Sequence, residues 1–123
     1  MKEIYLNLEL ESNGRKTAVK AIIDTGFSDY LAVNQKICKI LNIKTTGKTR
    51  IRLGNNMVAE AKICDLKIRL LDNPDLIEVN LEALILPDEE DILIGAALLE
   101  ALAKEVEVNI LLDYKNRNFE LVV

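Results

Sequence analysis

The chain has 123 residues, enough for one domain, and residues 1–123 read as a single unit. Hydrophobic residues make up 50% and charged ones 29%, a balance that excludes a disordered chain. A net charge of −4, with aromatics limited to three Tyr and two Phe, argues against nucleic acid as a partner.

Histidine is absent. This removes Ser-His-Asp and Cys-His catalysis and the common His-based metal sites. Any group that works near neutral pH must then be a perturbed carboxylate, lysine or cysteine. Cys38 and Cys64 form no paired motif and read as small buried hydrophobes in a reducing compartment. The start shows no apolar signal core, and no apolar run approaches the ~18 residues of a membrane span. The expected location is the cytoplasm, with no membrane partner.

In chain order, Ile4, Leu6, Leu8 and Leu10 alternate with polar residues, as in a half-buried strand. Asn13-Gly14 marks a tight hairpin, and residues 17–23 return from it. After Asp24-Thr25-Gly26 comes a short apolar run at 30–33. Asn34 then caps a helix to about residue 42, with Ile37, Cys38, Ile40 and Leu41 on one face. A further hairpin rises through 46–53, turns at Gly54-Asn55-Asn56 and returns from Met57 along a long arm. Residues 72–75 break that arm, and 77–85 alternate again.

The acidic stretch 87–91 reads as a solvated turn. Ile92-Leu93-Ile94-Gly95 is a short buried strand, followed by a helix over 96–104 with Leu98, Leu99 and Leu102 as its apolar stripe. Two last strands, 106–112 and 119–123, flank a polar turn at 114–118. The expected fold is mostly β, a closed or nearly closed barrel of about nine short strands with two short helices. The sequences 21–26 and 91–95 echo each other as buried strand, glycine turn, then helix, which suggests an approximate internal two-fold.

Candidate chemistry sits at Asp24-Thr25-Gly26. A carboxylate at the end of a buried strand is costly unless it is hydrogen-bonded or used. Gly26 permits a tight turn and close approach to a ligand. Chance places Asp-[Ser/Thr]-Gly in a chain this long about 5% of the time, so the tripeptide alone also fits a simple Asx-type turn.

More of the chain matches a known pattern. The stretches AIIDTGFSDYLAV, KILNI, RIRLGNNMVAEAKI and ILIGAALLEAL stand in an order and spacing that resembles retropepsin-like aspartic peptidases, of a prokaryotic single-domain type. The resemblance runs from about Tyr5 to Leu102. It implies that Asp24 is the catalytic aspartate. Thr25 would donate its hydroxyl across a two-fold axis, and Gly26 would offer its carbonyl to a bound peptide. Gly54, Asn55, Asn56 and Met57 would form the tip of a flap. Ile92, Leu93, Ile94 and Gly95 would back the catalytic loop. Phe27, Ser28, Ile92 and Ile94 join the flap tip as expected substrate-binding residues.

The chain also departs from the retroviral pattern. Phe27 replaces a small residue there. Ser28 and Ala96 stand where an acid and an arginine form an ion pair, so both halves are missing together and no buried charge is left alone. The flap tip has one glycine, and the segment after Lys104 is longer than the retroviral one.

Peptide hydrolysis by this chemistry needs two carboxyl groups around one water. The chain carries one such motif, so the second must come from Asp24 of another copy. The expectation is therefore a homodimeric aspartic endopeptidase acting on peptide or unfolded protein, with no metal and no cofactor. Two other readings are open: a catalytically silent dimer that binds peptides or a partner protein, and a purely structural, monomeric domain.

Overall fold

The computed structural model describes residues 3–52, 56–72, 78–105, 109–113 and 118–122, with side chains as far as Ala103. Gly54 and Asn55 of the expected flap tip lie outside these residues, as do the expected break at 73–75 and most of the last turn.

Strand β1 (Tyr5–Ser12) pairs antiparallel with β2 (Arg15–Ile23) from Tyr5↔Ile22 to Ser12↔Arg15. The two-residue loop has φ of 54° at Asn13 and 75° at Gly14, the left-handed pair that suits the twist of a hairpin. The alternation of β1 is realised directly, since Ile4, Leu6, Leu8 and Leu10 are all buried.

A three-residue strand, β3 (Leu31–Val33), leads into α1 (Gln35–Ile40). The Asn34 side chain accepts from the Ile37 N–H at 3.1 Å and caps the helix as expected. The helix stops earlier than its apolar face suggests, because Asn42 turns left-handed with φ of 51°. Its N–H bonds to Lys39 O, and the Ile43 N–H reaches back to Cys38 O at 2.9 Å, a Schellman closure.

Strand β4 (Gly47–Arg52) and the first part of β5 (Val58–Leu70) form an exposed hairpin. With 13 residues, β5 is long enough to serve three neighbours in turn: β4, then β6 (Val79–Ile85), then β1. Its last contact, from Leu8↔Leu70 to Glu11↔Lys67, closes a ring in the order β1-β2-β7-β3-β6-β5, where β7 is Ile92–Ile94. Helix α2 (Ala96–Glu105) follows β7, and β8 (Asn109–Asp113) pairs with β9 (Asn118–Val122) in a separate small sheet.

The result is a mixed six-stranded closed barrel. Its interior holds Ile4, Leu8, Leu10, Leu31, Ile68 and Ile94, and Leu98 of α2 packs into the same cluster.

The internal two-fold is present in this ring, but with different equivalences from those the sequence suggests. The parallel pairs β2–β7 and β3–β6 exchange when β1, β2, β3 and α1 are mapped onto β5, β6, β7 and α2. The strand that precedes α1 is β3, so its counterpart is β7; β2 answers to β6. The sequence shows β3 as the short apolar run at 30–33, but three residues carry too little periodicity to give that run its place in the echo.

Candidate active site

Asp24 follows β2 at the point where that strand leaves the barrel. Its N–H donates to Ile94 O at 2.9 Å, which continues the β2–β7 ladder by one rung. Its Oδ1 accepts the Gly26 N–H at 3.0 Å, and its carbonyl accepts the Phe27 N–H at 3.1 Å. The carboxyl is thus fixed by its own turn while Asp24, Thr25 and Gly26 all stay exposed.

The loop is braced from below by Gly95. The Gly95 N–H donates to Tyr30 O at 3.0 Å and the Ala96 N–H to Phe27 O at 2.8 Å. A Cβ on Gly95 would overlap the Asp29 carbonyl and sit 2.8 Å from Phe27 O. Only glycine lets the two segments approach this closely. The distant motifs at 24–26 and 92–95 are therefore one structural unit.

Beside this loop lies a cleft of about 380 Å³ lined by Asp24, Phe27, Ser28, Asp29, Leu84, Leu86 and Leu93, with Arg50, Ile51 and Arg52 of the hairpin on its other side. A second apolar cluster forms its floor: Ala32, Ala61 and Leu84 are buried, and Phe27, Ile51, Ile63, Leu86 and Leu93 pack on them. The registers Ala32↔Leu84 and Ala32↔Leu93 put these three residues at one level on the side of the strands opposite the barrel interior.

A larger groove, of about 650 Å³, lies at the other end of β2, beside the β1–β2 hairpin. Glu11, Asp65, Lys67 and Glu82 line it, and no residue of the Asp24 loop does. The smaller cleft is the candidate site because it joins an oriented carboxyl to an apolar floor. No three acidic or cysteine side chains among the described residues converge to hold a metal ion.

Of the residues expected to bind substrate, Phe27 and Ser28 line the cleft with Asp24 and Gly26. Asn56 has φ of 64° and Met57 is 62% exposed at the described base of the hairpin turn. Ile92 and Ile94 are placed elsewhere, since both are buried in the barrel core; Leu93, between them, faces the cleft. The sequence reading did not single out Arg50, Ile51, Arg52, Asp29, Leu84 or Leu86. The alternation through 50–52 was its one usable signal for the hairpin wall.

A scan against protein-family models finds no match, and a search of curated proteins finds none. Among solved structures, the chain matches a retropepsin-like aspartic protease from Rickettsia conorii. The match covers 80% of this chain and 69% of that one, at 23% identity and a TM-score of 0.53. The chain has a retropepsin-like fold. Within a retropepsin-like barrel, the loop that carries Asp24 and the β4–β5 hairpin are the two walls of the cleft. No helix among the described residues is long and apolar enough to cross a membrane.

Proposed function

We propose that the protein is an aspartic endopeptidase whose catalytic centre is a pair of Asp24 residues, one from each subunit of a homodimer. The observation that carries the proposal is an exposed, turn-fixed carboxyl beside an apolar cleft in a retropepsin-like barrel. A second feature supports the dimer. Thr25 is exposed, and its hydroxyl has no hydrogen bond among the described residues, which suits donation to a partner loop.

In this reading Asp24 and its symmetry mate approach to about 3 Å, where two full charges at an effective dielectric of ~20 would repel by roughly 5.5 kcal/mol. The pair therefore keeps one proton between them and titrates as a unit. The ionised Asp24 takes a proton from water as the water attacks the scissile carbonyl. The protonated partner donates to the carbonyl oxygen, giving a neutral diol. Proton transfer to the leaving nitrogen then breaks the C–N bond. The peptide lies extended under the β4–β5 hairpin, adding backbone hydrogen bonds as a strand. The compartment in this reading is the cytoplasm, consistent with Cys38 and Cys64 as free thiols.

The test is cleavage of an unfolded protein at mildly acidic pH by the wild type and by Asp24→Asn. Loss of cleavage in a variant that sediments like the wild type is the expected result. Equal activity in the variant rules the mechanism out. Peptide binding without turnover in the wild type would support the silent, peptide-binding reading instead.

A further inference from the structure

The β4–β5 hairpin and the 86–89 segment enclose a second hollow, of about 330 Å³, that adjoins the candidate site. Its apolar lining is Ile51, Ala59, Ala61, Ile85, Leu86 and Pro87. Ile51 and Leu86 also line the Asp24 cleft, so the two spaces meet at these side chains. Ala61 belongs to the floor cluster on which Phe27, Ile51, Leu86 and Leu93 pack.

Strand alternation fixes which side chains face the hollow. Ile51 pairs with Ala59 and Thr49 with Ala61, so these four share the inner face of the hairpin, while Val58, Glu60 and Lys62 take the outer one. The exposures agree: Ala61 is buried and Ala59 half-buried, whereas Val58, Glu60 and Lys62 are exposed. Small side chains at 59 and 61 leave the space open.

The opposite wall is held like the Asp24 loop. The Leu86 N–H donates to Val33 O at 2.9 Å, and the Glu89 N–H to Leu86 O at 3.1 Å. The same two bonds, at the same lengths, fix Asp24 to Ile94 O and Phe27 to Asp24 O, as the internal two-fold requires. Asn34 Nδ2 braces the segment further on, through Glu90 O at 2.9 Å. Of the three charged residues at the edge, Glu60 belongs to the outer face and is engaged by Lys48 at 3.3 Å, while Asp88 and Glu89 belong to the loop wall. All three are acidic, which disfavours an occupant with a carboxylate.

Leu93 and Ala61 lie three strand steps apart in the order β7-β3-β6-β5, roughly 14 Å at ~4.8 Å per step. An extended peptide covers that span in about four residues at ~3.3 Å each, and side chains four apart point the same way. We infer that this hollow takes a large apolar side chain of the bound peptide, about four residues along from the one seated over Leu93, which rests on the peptidase reading for its substrate class and deepens it. Backbone pairing keeps the peptide extended, and burial of the distant side chain adds affinity without touching the reacting atoms.

The experiment uses dodecapeptides with a Leu-Phe centre and Ser elsewhere, each carrying Leu, Phe, Gln or Lys at one further position. Binding is measured by fluorescence anisotropy to the full-length Asp24→Asn protein, and cleavage by the wild type. At one position, roughly three to five residues from the centre, the Leu peptide should bind about tenfold more tightly than its Gln twin, equivalent to ~1.4 kcal/mol. Added to the Asp24→Asn protein, Ala59→Phe fills the hollow and should bring that ratio to about one. Val58→Phe puts the same ring on the outer face and should leave the ratio at about ten. Ala59→Gly adds room and should raise binding of the Phe peptide relative to the Leu peptide.

The proposal is overturned if no peptide binds, if no such position favours Leu over Gln, or if Lys outdoes Leu there. It is equally overturned if the preference survives Ala59→Phe or is lost in Val58→Phe. Should Ala59→Phe fail to fold, Ala59→Gly decides, and an unchanged Phe-to-Leu ratio in that variant overturns the proposal. The two proposals fail separately. A distant Leu preference without cleavage sinks the peptidase reading and keeps the hollow as a peptide subsite; cleavage with no such preference does the reverse.

Discussion

Replacing Gly95 with Ala should damage the protein far more than one methyl group suggests. The added Cβ would overlap the Asp29 carbonyl and lie 2.8 Å from Phe27 O, both backbone atoms that no side-chain rotation can move aside. Relief requires separating the Asp24 loop from the start of α2. That movement breaks the Ala96 N–H bond to Phe27 O and the Gly95 N–H bond to Tyr30 O.

Overpacking costs about 1–3 kcal/mol and each backbone hydrogen bond about 0.5–1.5 kcal/mol, so the sum is roughly 2–6 kcal/mol. A small domain has about 5–15 kcal/mol in all, so this is a large share. Gly14→Ala is the control: its φ is +75° and nothing lies within 4 Å, so only backbone strain of about 1–2 kcal/mol applies. Urea unfolding at one fixed protein concentration measures both variants. A Gly95→Ala variant that loses no more stability than Gly14→Ala would refute the reasoning.

Other substitutions test other parts of the fold. Asn34→Ala removes the cap on Ile37 and the bond from Asn34 Nδ2 to Glu90 O, at 3.1 and 2.9 Å. It should cost about 0.5–2 kcal/mol in the same urea assay. Cys64 gives a pH dependence. Burial, reinforced by Cys38, Asp65 and Glu82, pushes its thiol from the usual 9.0 up to about 12. The unfolded chain therefore releases this proton above pH 9 while the folded chain holds it, so stability is lost as pH rises from 9 towards 12. Between about pH 8 and about pH 10.5, the wild type should lose more stability than Cys64→Val. The folded Cys64 thiol should also resist alkylation at mildly alkaline pH.

Much of this architecture is visible in local chemistry. The alternation of Ile4, Leu6, Leu8 and Leu10 places β1, Asn13-Gly14 places its hairpin, and Asn34 marks the start of α1. Local chemistry does not show which distant strands meet. Closure through Leu8↔Leu70 depends on the length of β5 and the twist of the sheet, and no short stretch encodes either.

The site divides along the same line. Asp24 and Gly26 announce themselves by position and backbone freedom. In the all-apolar run Ile92-Leu93-Ile94 there is no polar residue to mark the outer face, so the choice of Leu93 for the cleft was not legible. Ile51 looks like one more alternating strand residue until the hairpin brings it onto the floor made by Ala32, Leu84 and Leu93.

The shared dyad is tested most directly by mixing subunits. Wild-type protein is held at constant amount, increasing Asp24→Asn protein is added, and subunits are allowed to exchange before cleavage is measured. If the centre needs an intact Asp24 from both chains, activity per wild-type subunit falls in proportion to the wild-type fraction. Activity per wild-type subunit that stays constant at every ratio would show that one chain acts alone, and would contradict the account.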